Sequence, residues 1–62
     1  MTEEEIEVLA AEPAAVLLDH TGQGNCEVVV VENGKVVKAL SGLHPNPVAA
    51  WREAAETVRS SS

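Results

Sequence analysis

The sequence predicts an α+β fold of order α-β-β-β-α. It reads as a single small domain over residues 1–62, with a three-stranded antiparallel sheet and two helices packed on one of its faces. Three observations carry this prediction. A capping box opens an acidic segment near the start, an Asn33-Gly34 pair stands between two valine-rich runs, and Asn46-Pro47 precedes apolar residues at helical spacing.

In Thr2-Glu3-Glu4-Glu5, the threonine can cap the first free N–H groups and Glu5, three residues on, can reach back. The early glutamates suit the positive end of a helix dipole. Ile6, Leu9 and Ala10 fall on one helical face, and Pro13 disfavours helix at Glu12. The helix is expected at about 3–11 and, being too short to stand alone, must dock through Ile6 and Leu9. Residues 14–20 are a short apolar run after a proline, which favours a strand. Thr21-Gly22-Gln23-Gly24-Asn25 reads as a loop.

Glu27 to Leu40 is the clearest local signal. Asn-Gly is the preferred pair for a two-residue type I′ turn, in which both positions take positive φ. The β-branched residues on either side fit strands. The Gly42-Leu43-His44-Pro45 segment leads to Asn46, a good N-cap, with Pro47 in the first helical turn. Val48, Trp51, Ala54 or Ala55, and Val58 then recur at helical spacing, so a second helix is expected at about 47–59 with Arg52, Glu56 and Arg59 outward. Residues 60–62 read as a frayed tail.

A two-residue turn sets the register of the hairpin. It places Glu32 opposite Lys35, Val31 opposite Val36, Val30 opposite Val37, Val29 opposite Lys38, Val28 opposite Ala39 and Glu27 opposite Leu40. One face then carries Cys26, Val28, Val30, Val37 and Ala39 and should meet the helices. The other carries Val29, Val31, Val36 and Leu40, interrupted by Glu27 and Lys38. A half-exposed sheet usually alternates apolar with polar. This one does not, so Val29, Val31, Val36, Lys38 and Leu40 are the candidate partner-binding residues.

Composition narrows the function classes. The chain carries a net charge of −6, with one Trp, no Tyr and no Phe, so the core must form from small aliphatics around Trp51. Five of the acids (Glu3, Glu4, Glu5, Glu7, Glu12) lie in residues 1–12, where there is no base. Nucleic-acid binding usually leaves a basic footprint, and this charge argues against it. No apolar run approaches the roughly 18 residues of a membrane span. No signal-peptide pattern opens the chain. With one cysteine, no internal disulfide can form, and a lone thiol without an export signal suggests the cytoplasm.

No catalytic or metal motif stands out in the sequence. Cys26 with His20 or His44 could form a thiol–imidazole pair, but Cys26 begins a valine strand on the expected core face. Asp19-His20, Cys26 and His44 match no paired zinc spacing. Gly22-Gln23-Gly24 lacks the remainder of a dinucleotide or phosphate-loop motif. His44 could approach an anion at the start of the last helix, but no base stands beside it. Nothing forces Asp19 and Glu27 together as a carboxylate pair. The expectation is a non-enzymatic chain with no metal and no cofactor.

From Glu27 to Val58 the layout resembles the double-stranded-RNA-binding domain. The strand-turn-strand, Ser41-Gly42 and the helix Val48-Ala49-Ala50-Trp51-Arg52-Glu53-Ala54-Ala55 are also similar to HicB-like antitoxin domains. The resemblance implies a sheet with helices on one side. The basic pair that opens the last helix of the RNA-binding family has no counterpart here, where Asn46, Pro47 and Val48 stand. Its histidine-bearing loop is not found in Gly22-Gln23-Gly24-Asn25, so the RNA-contacting residues do not carry over. The sequence thus points to a small acidic protein–protein interaction module, a homodimer or a binder of another protein. Such a chain would suit a phage or bacterial accessory regulator, with duplex-RNA binding as the alternative.

Overall fold

A computed structural model describes residues 1–20, 22 and 24–61. The elements run α1 (Glu3–Ala11), β1 (Ala15–His20), β2 (Asn25–Glu32), β3 (Lys35–Ala39) and α2 (Pro47–Ser60), with the strands in the order β1-β2-β3 and antiparallel throughout. Cys26, Val28 and Val30 of β2 meet Val8 of α1 and Ala50, Trp51, Ala54, Ala55 and Val58 of α2 in one core, so both helices lie on the same face of the sheet. Of the expected loop, Thr21 and Gln23 lie outside the described residues, as does Ser62 of the expected tail. Ser60 completes α2, and Ser61 closes it by donating its N–H to the Thr57 carbonyl at 3.2 Å.

Both helices start as their caps dictate. The Thr2 hydroxyl accepts the Glu5 N–H at 3.2 Å, and the Asn46 side chain accepts the Ala49 N–H at 2.9 Å. Their buried faces differ from expectation. α1 docks through Val8, fully buried, with Leu9 half-buried, whereas Ile6 is 56% exposed and Ala10 is exposed. The reason is that α1 rests mainly on α2. Arg59 of α2 grips both carboxylate oxygens of Glu7 at 2.7 Å, which turns the face bearing Glu7 and Val8 toward α2. On α2, Val48 is exposed and Ala50 takes its place in the core. Ala50 and Ala54, both fully buried, bring the helix backbone close to the sheet.

The hairpin turns as the sequence predicts, with φ of +53° at Asn33 and +76° at Gly34. Glu32 faces Lys35 and Val31 faces Val36. The register then shifts, so that Val30 faces Lys38 and Val29 faces Ala39. Val37 is the extra residue of a β-bulge, which bends an edge strand and increases its twist. The shift changes the fate of every residue beyond it. Leu40, expected on the outer face, lies in the core at 4% exposure, while Val37 and Ala39, expected inside, are exposed. A fully buried leucine contributes about 1.5–3 kcal/mol over an exposed one. The straight register would leave Leu40 in water.

After β3 the chain folds back along β2. Leu40 and Ser41 both donate their N–H to the Val28 carbonyl, at 2.8 and 3.2 Å. Cys26 and His44 exchange two backbone hydrogen bonds at 2.9 Å each.

Candidate interaction surface

The face of the sheet opposite the helices is set by the pairing of β1 with β2. Val16 faces Val29 and Leu18 faces Glu27. With Val31 and Val36 paired on the same side, this face presents Val16, Leu18, Val29, Val31, Val36 and Ala39. The polar residues on it, His20, Asn25 and Glu27, gather at one end. His20 Nε2 stands 3.7 Å from Glu27 Oε1, and this buried nitrogen has no hydrogen-bond partner among the described residues.

No helix covers these residues, yet their exposures differ widely. Val29 is fully buried, whereas Val16 is 43%, Leu18 37% and Val36 54% exposed. Val29 sits on the central strand, between Val16 and Ala39. Side chains directly opposite on neighbouring strands lie only about 4.5–5.5 Å apart between Cβ atoms, so two flanking strands are enough to shield a valine. The edge strands have such a neighbour on one side only.

Of the five residues the sequence singled out, Val31 and Val36 lie on this face and can be reached. Val29 is on it but shielded. Lys38 is carried by the bulge to the helix side, where its Nζ donates to Glu12 Oε2 at 2.5 Å. Leu40 is in the core. Sequence reasoning missed Val16 and Leu18. Their alternation with Leu17 and Asp19 was the available signal, but the loop over residues 21–24 does not fix a register as the Asn33-Gly34 turn does.

A polar lock joins the β3–α2 connection to the rest of the fold. Glu53 Oε1 accepts the Gly42 N–H at 2.8 Å and stands 2.6 Å from His44 Nε2. Ser41 Oγ accepts the Val28 N–H at 2.8 Å, and Thr57 Oγ1 donates to the Leu40 carbonyl at 2.7 Å. The hydrogen bond from His44, and then that from Gly42, hold the Glu53 carboxyl below its ordinary pKa. The Arg59 guanidinium does the same for Glu7 and is itself raised by that contact.

These contacts separate the groups considered for chemistry. The Cys26 thiol is 5% exposed and reaches the His44 carbonyl, at 3.6 Å, while the His44 ring turns to Glu53. His20 pairs with Asn25 on the outer face, on the other side of the sheet from Cys26. Asp19 and Glu27 likewise point to opposite faces. Gly22 and Gly24 adopt φ of +91° and +70°, as turn glycines do. Among the described residues, no group of three or more His, Cys, Asp or Glu is placed to hold a metal ion, and no helix is long and apolar enough to cross a membrane. No protein-family model matches the chain, and no curated protein or solved structure is significantly similar to it.

Proposed function

We propose that this chain is a non-enzymatic interaction module that works by binding protein, and that its partner is a second copy of itself. The observation that carries this reading is the bare outer side of the sheet. Val16, Leu18 and Val36 are each more than a third exposed there, with no layer over them. Contiguous exposed apolar surface on so small a domain is a usual mark of association. A second copy brings apolar side chains at the same spacing. Duplex RNA is disfavoured because the chain has only four Lys and Arg and no basic cluster to meet phosphates, Arg52 on α2 standing among Glu53 and Glu56.

Light scattering over a concentration series, run beside a titration with duplex RNA, tests the reading. A mass that rises to the dimer supports it. A monomer at every concentration overturns self-association. Duplex-RNA binding that weakens steeply with salt, as counterion release requires, would replace it with a nucleic-acid function.

A further inference from the structure

The sheet has two edges, and they are not equally protected. Proteins blunt exposed edges with bulges, lysines and prolines, because unpaired N–H and C=O groups invite another strand. β3 has a bulge at Val37 and carries Lys35 and Lys38. β1 is unbulged, pairing residue for residue from Ala15 to His20, and has no lysine and no internal proline.

The hydrogen bonds show which β1 groups face the open edge. Val28 directs its N–H to Ser41 Oγ and its carbonyl to Leu40, and Cys26 directs both of its groups to His44. Their β1 partners are Leu17 and Asp19. In an antiparallel pair, bonded and non-bonded positions alternate. Leu17 and Asp19 therefore turn their N–H and C=O away from β2, toward the edge. Ala15 faces the same way, and its N–H is taken by the Glu12 carbonyl at 3.0 Å. Among the described residues no other backbone hydrogen bond is made on this edge.

We propose that two copies of the chain join edge to edge through β1, antiparallel, about a two-fold axis at Leu17. This inference rests on the self-association reading above and specifies its geometry. In this register Leu17 of each copy faces Leu17 of the other, and the pair exchanges two hydrogen bonds. The Asp19 N–H of each copy meets the free Ala15 carbonyl of the other. On the outer face, Val16 of one copy stands opposite Leu18 of the other, twice. Those two side chains then gain the second flanking strand that already shields Val29. A shift of the axis toward the start of β1 brings Pro13, which has no N–H, into the ladder. A shift to Leu18 sets Leu17 against Asp19 and Val16 against His20, and a shift to Asp19 sets two carboxylates face to face. The Leu17 axis avoids all three. The result is one continuous sheet of twice the width, closed by the bulged, lysine-bearing β3 at both ends.

The register makes a charge test specific. Val16 and Leu18 are exposed, so long polar side chains are tolerated there in the monomer. The double variant Val16→Lys with Leu18→Lys places like charges opposite each other across the seam. Val16→Glu with Leu18→Lys places opposite charges there, and does so only with the axis at Leu17. Sedimentation equilibrium from about 1 μM to about 1 mM spans the range of weak association. The like-charge variant is expected to weaken dimerisation more than tenfold, and the opposite-charge variant to restore it to within about threefold of the parent. Val48→Lys, exposed on α2, should leave it unchanged. Circular dichroism checks that each variant is folded. Amide exchange should be slow at Leu17 and Asp19 in the dimer and fast in the like-charge variant. A parent that is monomeric throughout overturns this geometry together with the self-association reading. A dimer that survives the like-charge variant, with fast exchange at Leu17, overturns the β1 seam alone. Loss of the dimer in both double variants overturns the register.

Discussion

Glu53 is the one carboxylate in the polar lock that holds the β3–α2 connection. One carboxylate oxygen takes the Gly42 N–H and the His44 ring, so one backbone and one side-chain group of the β3–α2 connection depend on its charge. Its pKa is lowered in the folded chain. The stability it contributes is therefore present above the ordinary carboxylate range and lost as pH falls through the lowered value. Glu7, lowered by Arg59, behaves in the same way. Thermal melts followed by Trp51 fluorescence should show a falling midpoint as pH drops below about 4. Glu53→Gln should make that fall shallower. An unchanged pH profile in the variant would mean that the carboxylate's charge is not what holds the connection. Leu40 gives a second test at this scale, because the register of Lys38 and Ala39 against β2 puts it in the core. Leu40→Ala should cost about 2–5 kcal/mol in urea unfolding. A loss of only a few tenths would return Leu40 to the surface.

Among the elements, β3 is where sequence and structure part company. The turn, the strand type and the first two pairs were legible, because Asn33-Gly34 demands positive φ at both positions and a two-residue loop leaves no freedom of register. The bulge was not legible. It depends on a comparison that local sequence does not contain, namely that one unpaired residue lets Leu40 reach Val28 and the helices. The faces of both helices were partly misread for a similar reason. Helical spacing identifies an apolar stripe, but Ile6 and Val48 lie on margins of their stripes, and the tertiary neighbour decides which margin is covered. For α1 that neighbour is α2, through Glu7 and Arg59. The same dependence explains why Val31 and Val36 were placed correctly on the candidate surface while Leu40 and Lys38, beyond the bulge, were not. Deleting Val37 tests the bulge directly. The pairs Val30–Lys38 and Val29–Ala39 can persist without it, so the fold should survive with Leu40 still buried. β3 would become a flat edge, and the variant should form aggregates that bind thioflavin T where the parent does not. A deletion variant that stays as dispersed as the parent would show that the bulge serves the core alone.

At the scale of the whole molecule, the two ends of the chain meet. Glu7 and Arg59, 52 residues apart, form the contact that seats one helix on the other. α2 supplies Ala50, Trp51, Ala54, Ala55 and Val58, close to half of the buried core. The sheet therefore has one covered face, whose cover comes mainly from a single helix, and one face with none. A chain ending at residue 46 should accordingly lack a cooperative urea transition, since a small sheet without a packed layer is marginal at best. A sharp transition in that fragment would mean that α1 and the sheet form a core without α2.

The order in which these pieces are made adds a temporal consequence. Synthesis runs from α1 through the strands, and α2 leaves the ribosome last. Until it does, Val8, Val28 and Val30 have nothing to close over them, and the unbulged edge of β1 is open to any neighbouring strand. The core is thus sealed only once α2 has emerged, with the unbulged strand made well before it, and crowding of nascent copies on one message would favour their meeting before that closure.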